Sequence, residues 1–177
     1  YLINELLTFS KIEMKQMHIS VRKGDIMHFL EELSHIFDIV AGEREIDFIV
    51  NLEDTEEEVW FSPSKLERIL YNLLSNAFKY TQPGGYVKLS AKLIKEEKET
   101  FVQISVKDSG RGIPKEAQEQ IFESYYQVEK RDHREGFGLG LSLTRSLIHM
   151  HKGEIRVESE VNKGSDFIVT LNVSEDA

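Results

Sequence analysis

Residues 62–81 read SPSKLERILYNLLSNAFKYT, and the rest of the chain is organised around them. Ser62 followed by Pro63 marks a helix start: a hydroxyl placed to cap, then a proline whose φ is already helical. Leu66, Ile69, Leu70, Leu73, Leu74, Ala77 and Phe78 recur at helical spacing and form one apolar face. Successive residues advance by about 100°, which puts Lys65, Arg68, Asn72, Asn76 and Lys79 roughly opposite. Lys65 and Arg68 read as a solvated polar face. The asparagines are different, because Asn is a mediocre helix former and two of them mid-helix weaken it without local gain. An amide oxygen is a neutral, hard ligand that suits magnesium, and a lysine one turn further on suits a phosphate. The helix therefore reads as buried on one side and as a metal and phosphate bench on the other.

Two glycine-rich stretches turn that bench into a site. Asp108-Ser109-Gly110-Arg111-Gly112-Ile113-Pro114 follows residues 101–106, FVQISV, which alternate like a half-buried strand. Gly136-Phe137-Gly138-Leu139-Gly140-Leu141 then directly precedes the helical run 142–150. A lone glycine pair says little, because turns use glycine routinely. The order N-x-x-x-N-A-x-K-Y, then D-x-G-x-G-I, then G-x-G-x-G-L says much more. With these motifs in hand, nearly the whole chain resembles the nucleotide-binding domain of sensor histidine kinases. That domain falls within the wider GHKL group, which also holds type II topoisomerases, mismatch-repair ATPases and a heat-shock chaperone.

The chain has 177 residues, enough for one domain with a real core. Its 40% hydrophobic and 30% charged content are those of a soluble globular protein. No run is long enough to span a membrane, and no secretory signal pattern occurs. The start at Tyr1, without an initiator methionine, gives the expectation of an excised fragment. With no cysteine, disulfides, thiolate catalysis and thiolate zinc sites are excluded. The net charge of −9 argues against nucleic acid as a partner, since phosphate contacts need clustered Lys and Arg. The one basic run is Lys130-Arg131-Asp132-His133-Arg134.

Taken in order, residues 1–17 are expected to be helical, with a stripe of Leu2, Leu6 and Phe9 flanked by Ile3, Leu7 and Ile12. A short strand over 19–22 and a helix from 26 to about 43, capped by Asp25, follow. Strands are expected over 46–52 and 59–61, before the central helix. Gln82-Pro83-Gly84-Gly85 is a turn. Residues 86–94 and 100–107 form a hairpin around the polar turn 95–99. Residues 114–123 read as a short helix and 124–135 as a mobile loop. A helix over 139–151 ends at Gly153, and strands over 154–160 and 167–173 close the chain. The expected architecture is a two-layer α/β sandwich, with a mixed, mostly antiparallel sheet covered on one face by about three helices.

The resemblance implies a division into residues 1–18, the end of a dimerisation helix, and residues 19–177, the ATP-binding catalytic domain. It implies ATP and Mg2+ as the ligands, with Asn76 as the magnesium ligand and Asn72 one turn earlier. Lys79 and Tyr80 match positions near the phosphates and ribose. By the same likeness Asp108 reads adenine through its exocyclic amine, although an aspartate in a turn is by itself an ordinary cap. Gly110 and Gly112 let the backbone approach the base and ribose, and Ile113 supplies an apolar wall. Gly136, Gly138 and Gly140, with Leu139 and Leu141, place backbone N–H groups at a helix start, where an anion is favoured. Phe122 resembles an aromatic lid hinge, and Ser165 lies in a last glycine motif that closes the pocket wall. This chain has Gln127 where many relatives carry a basic residue. Arg131 and Arg134, with Lys130, can supply that charge instead.

The implied reaction is transfer of the ATP γ-phosphoryl to a histidine, with Asn76 and Lys79 as the catalytic pair. None of His18, His28, His35, His133, His149 and His151 sits in the acceptor pattern of an acidic residue followed by x-R-T-P. The acceptor is therefore expected on a dimerisation domain outside these residues. Further implied partners are a response regulator receiver domain and a second copy of the parent in a homodimer. The domain would be cytoplasmic and the parent anchored to a membrane. Two other readings stay open: a GHKL ATPase that drives conformational change, and a non-catalytic nucleotide-binding or dimerisation module. An ATPase would need a glutamate base near the asparagine, and the nearest, Glu67, falls on the wrong side of the helix.

Overall fold

The two layers of the protein meet along the apolar face of the central helix. The computed structural model describes residues 20–127 and 138–175. Their order is β1 (Arg22–Asp25), α1 (Ile26–Ser34), α2 (Ile36–Arg44), β2 (Asp47–Leu52), β3 (Glu58–Phe61) and α3 (Pro63–Tyr80). Then come β4 (Tyr86–Glu96), β5 (Glu99–Asp108), two 3₁₀ turns at Lys115–Ala117 and Gln120–Phe122, α4 (Gly140–Met150), β6 (Glu154–Glu160) and β7 (Gly164–Asn172). All seven apolar positions read from the α3 sequence are buried, none more than 4% exposed.

Five strands form one open mixed sheet in the order β2-β4-β5-β7-β6. β2 runs parallel to β4, and the other neighbours are antiparallel. Alternation decides which side faces the helices. Val87, Leu89 and Ala91 of β4 and Val102, Ile104 and Val106 of β5 are buried in the core, while the residues between them are more open. β1 and β3 make a separate antiparallel pair, tied to the end of β7 by the Trp60 N–H donating to the Val173 carbonyl at 2.9 Å. The expected two-layer α/β architecture is present. No helix among the described residues is long and apolar enough to cross a membrane.

Several local expectations change. The helix over 26–43 is two helices, α1 and α2, meeting at His35. His35 keeps helical angles, so the break is a kink. Ser34 Oγ donates to the Glu31 carbonyl at 2.7 Å, and such back-bonding bends helices. This split gives four α-helices among the described residues where about three were expected over the sheet. The short helix over 114–123 is two separate 3₁₀ turns. Between them Gln118 Nε2 is drawn to the carbonyls of Ile113 and Ser159 at 3.0 and 2.9 Å, which holds the segment against β6. Residues 20 and 21, expected in the first strand, lie before it: the strand runs Arg22–Asp25, and its last residue, Asp25, caps α1 by accepting from the His28 N–H at 2.9 Å. Ser62 is fully buried, and its hydroxyl makes no cap hydrogen bond. Lys65 is half-buried rather than solvated. Burial, then Arg68, holds its ammonium below the usual lysine range. Residues 1–17, the first residue of the 19–22 strand and most of the loop 124–135 lie outside the described residues.

Because Leu74 is wholly buried where α3 meets the sheet, Leu74→Ala should destabilise the fold by about 2–5 kcal/mol. Denaturant unfolding, with an unchanged m-value, would measure it.

Candidate functional site

The burial of α3 fixes where its polar residues emerge. Asn72, Asn76, Lys79 and Tyr80 are half-buried along the last turns of α3, and the loop after β5 folds back onto that helix end. Asp108 is the last residue of β5 and pairs across the ladder with Ser165 of β7. Its side chain turns into the protein, leaving the residue 5% exposed. Oδ1 accepts the Gly110 N–H at 2.8 Å. Burial, helped by the Asp166 charge, pushes the carboxyl up to about 6, against the pull of the Gly110 and Ser165 N–H groups.

Gly110 is required by the chain itself. A Cβ there would stand 2.5 Å from the Tyr80 carbonyl oxygen and 2.7 Å from Asp108 Oδ1. The close approach seen is loop to helix. Gly112 is left-handed at φ 68°, and the next residue, Ile113, donates its N–H to Ser159 Oγ at 2.8 Å. Ser159 also donates to the Gly164 carbonyl at 2.9 Å and lies 3.0 Å from Ser165 Oγ. One serine of β6 thus pins the loop and the β7 start together.

The second glycine stretch meets α3 at Asn72, about two turns before Tyr80. Gly138 precedes Leu139, and Gly140 and Leu141 open α4. Gly140 packs on Asn72, where a Cβ would fall 2.5 Å from Asn72 Oδ1. Asn72 Nδ2 donates to Thr144 Oγ1 at 2.7 Å, so the Asn72 amide joins α3 to α4. The α4 start has no side-chain cap, which leaves its first-turn N–H groups to other acceptors. Leu139 is only 1% exposed and packs inside. Phe122 meets Phe167 edge-on at 6.4 Å, with Arg145 over its ring at 5.9 Å. Gly136, Arg131 and Arg134 lie outside the described residues.

Arg111, Ser159 and Thr144 were missed in the sequence. The Arg111 guanidinium stands 4.5 Å from the Tyr80 ring centroid, and Lys79 Nζ lies 4.9 Å from the same ring. Two cations therefore meet at one aromatic ring, at the helix end that Gly110 touches. Ser159 had a signal: it fills the inward slot that Ile155 and Val157 fill earlier in β6. Arg111 lies between two glycines in a turn and had none. Among the described residues no group of three or more His, Asp or Glu side chains is arranged to hold a metal.

Residues 61–175 match the family described as histidine kinase-, DNA gyrase B-, and HSP90-like ATPase. The chain is 34% identical over 177 residues to the sensor histidine kinase WalK of Bacillus subtilis strain 168, which covers 99% of this chain and 28% of WalK. It is 34% identical over 175 residues to histidine kinase P4 of Formosa agariphila, covering 96% of this chain and 12% of that protein. Among solved structures it is similar to full-length ShkA in complex with AMPPNP, with a TM-score of 0.85, 26% identity, and coverage of 98% of this chain and 35% of ShkA. The chain thus spans well under half the length of these curated relatives.

Asn72→Ala should destabilise the protein by about 1–3 kcal/mol, because it strands the Thr144 hydroxyl and opens the α3–α4 contact. Added to Thr144→Val, its cost should be less than additive in a double-mutant cycle read by chemical denaturation.

Proposed function

The chain belongs to the histidine kinase-, DNA gyrase B-, and HSP90-like ATPase family, and from that premise we propose that it is the ATP-binding catalytic domain of a two-component sensor histidine kinase. The observation that carries the reading is Asp108. A carboxyl pushed up to about 6 by burial gains when a neutral donor reaches it. The exocyclic amine of adenine is such a donor. Gly110 and Ser165 keep the carboxylate oriented from the loop and from β7. Tyr80, with Lys79 and Arg111 against its ring, flanks the same loop on the ribose and phosphate side. The uncapped start of α4 offers N–H groups to phosphate oxygens.

Asn76 fits a magnesium ion that arrives with the nucleotide. Magnesium is commonly held by one or two protein oxygens plus substrate phosphates, and Asn76 offers a hard amide oxygen on the exposed side of α3. When bound, the ion neutralises charge on the phosphates. Lys79 adds a second positive charge. In the transfer, the bond from the γ-phosphorus to the bridging oxygen breaks, ADP leaves, and a P–N bond forms to an imidazole. The acceptor histidine belongs to a dimerisation domain, and a receiver domain takes the phosphoryl group next. The parent would be a homodimer anchored to a membrane, with this domain in the cytoplasm. Glu67 weighs against an ATPase: it is exposed and nine positions from Asn76, about 180° around the helix.

Four outcomes test this reading. Asn76→Ala should reduce transfer to a separately supplied acceptor-helix domain by about a hundredfold or more, with unchanged thermal unfolding. The 177-residue chain alone should bind ATP yet remain unlabelled by it; stoichiometric phosphohistidine on this chain would refute the assignment of the acceptor elsewhere. ADP affinity should depend on pH through Asp108. An amine donor favours the ionised carboxyl, so binding lowers its pKa and releases a proton. Affinity should therefore be full above about pH 6 and fall by up to about tenfold per unit below it. Asp108→Ala should weaken ADP by about tenfold or more and flatten the profile in calorimetry.

A further inference from the structure

At the β2 side of the sheet, away from α4 and the β5 loop, a cleft of about 520 Å³ opens between the helix layer and the strand. One wall is the stripe His28, Glu31, His35 and Asp38, spaced at helical intervals along α1 and the start of α2. The other is Val50, Leu52 and the acidic run that follows β2. Buried Met27 lies at its base.

β2 is the end strand of its sheet, paired only with β4 among the described residues. The pairing sets which backbone groups are left over. The Asp47 N–H donates to the Gly85 carbonyl and the Glu53 N–H to the Ala91 carbonyl, both at 2.9 Å. Polar backbone groups of alternate strand residues point to opposite sides, so the N–H and C=O of Phe48, Val50 and Leu52 point outward. Val50, at 38%, and Ile49, at 40%, are exposed apolar residues on this edge. An open edge with an apolar strip is a template for another strand.

Charge selects the occupant. Asp25, Glu31, Asp38, Glu53, Asp54 and Glu56 all line the cleft, and no lysine or arginine among the described residues does. Some of this charge is engaged locally: Asp25 caps α1, and Glu53 Oε2 accepts the Leu93 N–H at 2.6 Å. The cleft as a whole stays acidic. A second copy would bring an equally acidic rim against it, and like charges across an interface are costly. We propose that the β2 edge and its cleft dock an extended cationic segment of a partner protein. The segment pairs as an added strand on Phe48, Val50 and Leu52, turns Lys or Arg toward the cleft carboxylates, and sets its alternate apolar side chains beside Ile49 on the other face.

The probe is a fluorescein-labelled octapeptide of alternating Lys and Val, with an alternating Glu and Val octapeptide as control. In fluorescence anisotropy the Lys peptide should bind at least about tenfold more tightly than the Glu peptide, with affinity falling as salt rises. The amides of Phe48, Val50 and Leu52 should gain hydrogen-exchange protection. Val50→Pro removes an outward N–H without touching the β2–β4 ladder and should cost about tenfold or more in affinity. Val50→Lys, which places a cation in the cleft, should do the same if the proline variant fails to fold. Absence of binding overturns the proposal. So does binding that survives both substitutions, or protection that maps elsewhere. A dimer joined through β2 in the absence of peptide would give the edge to a second copy instead.

Discussion

The structure depends on one packing constraint: the apolar face of α3 must lie on the sheet. With Leu66, Ile69, Leu70, Leu73, Leu74, Ala77 and Phe78 all inside, the rotation of the helix about its axis is fixed. Asn72, Asn76 and Lys79 then have only one direction to face. The helix ends where Tyr80 meets Gly110, so the loop after β5 is forced into the same corner. Core burial, worth about 25 cal/mol per Å² of apolar surface, thereby also sets the direction of the polar groups of the site.

The corner is electrostatically loaded. Asp108 is drawn inside by its place at the end of β5, in register with Ser165, and accepts from the backbone N–H groups of Gly110 and Ser165. Its raised pKa measures how poorly these donors replace water. Lys79 and Arg111 are nearby but lie against the Tyr80 ring. On the proposed reading, a ligand that carries a neutral donor at one end and negative charge at the other would meet the carboxyl with the first and these cations with the second. That polarity matches adenine followed by phosphates.

The sequence made α3 legible because its period was long and its polar exceptions were chemically odd. The strands of the β4–β5 hairpin were legible by alternation, and the close of the chain by its turn residues. What stayed hidden was decided by contacts far apart in sequence. The kink at His35 comes from a serine that bonds backward to Glu31, a local choice that leaves the apolar period unbroken. The 3₁₀ turns replace a helix because Gln118 is captured by β6, a partner 41 positions away. Asn72 showed the right type for a ligand, but its nitrogen is engaged by Thr144, 72 positions on. Gly110 and Gly112 were legible as necessary, yet the reason visible in the fold is close contact within the chain as much as room for a ligand.

The far end of the α3–α4 pair shows the opposite electrostatic choice. His151 ends α4, is 4% exposed, and places Nδ1 3.0 Å from the Leu147 carbonyl. Its Nε2 and the buried Ser62 hydroxyl have no hydrogen-bond partner among the described residues. Burial, reinforced by Lys65 and opposed by the Leu147 carbonyl, holds the imidazole below its ordinary 6.5. Below that pH the unfolded chain takes up a proton that the folded one refuses, so this group draws stability away as pH falls. Asp108 has the reverse sign. Its folded pKa of about 6 lies above the ordinary 3.8, so it draws stability away as pH rises across that interval. The two slopes oppose each other in weakly acidic solution. Above pH 6.5 His151 is neutral in both states and costs nothing further, whereas the buried Asp108 carboxylate persists as a standing penalty. A donor delivered to Asp108 relieves that penalty, so part of what the buried carboxylate costs the fold would return as ligand affinity.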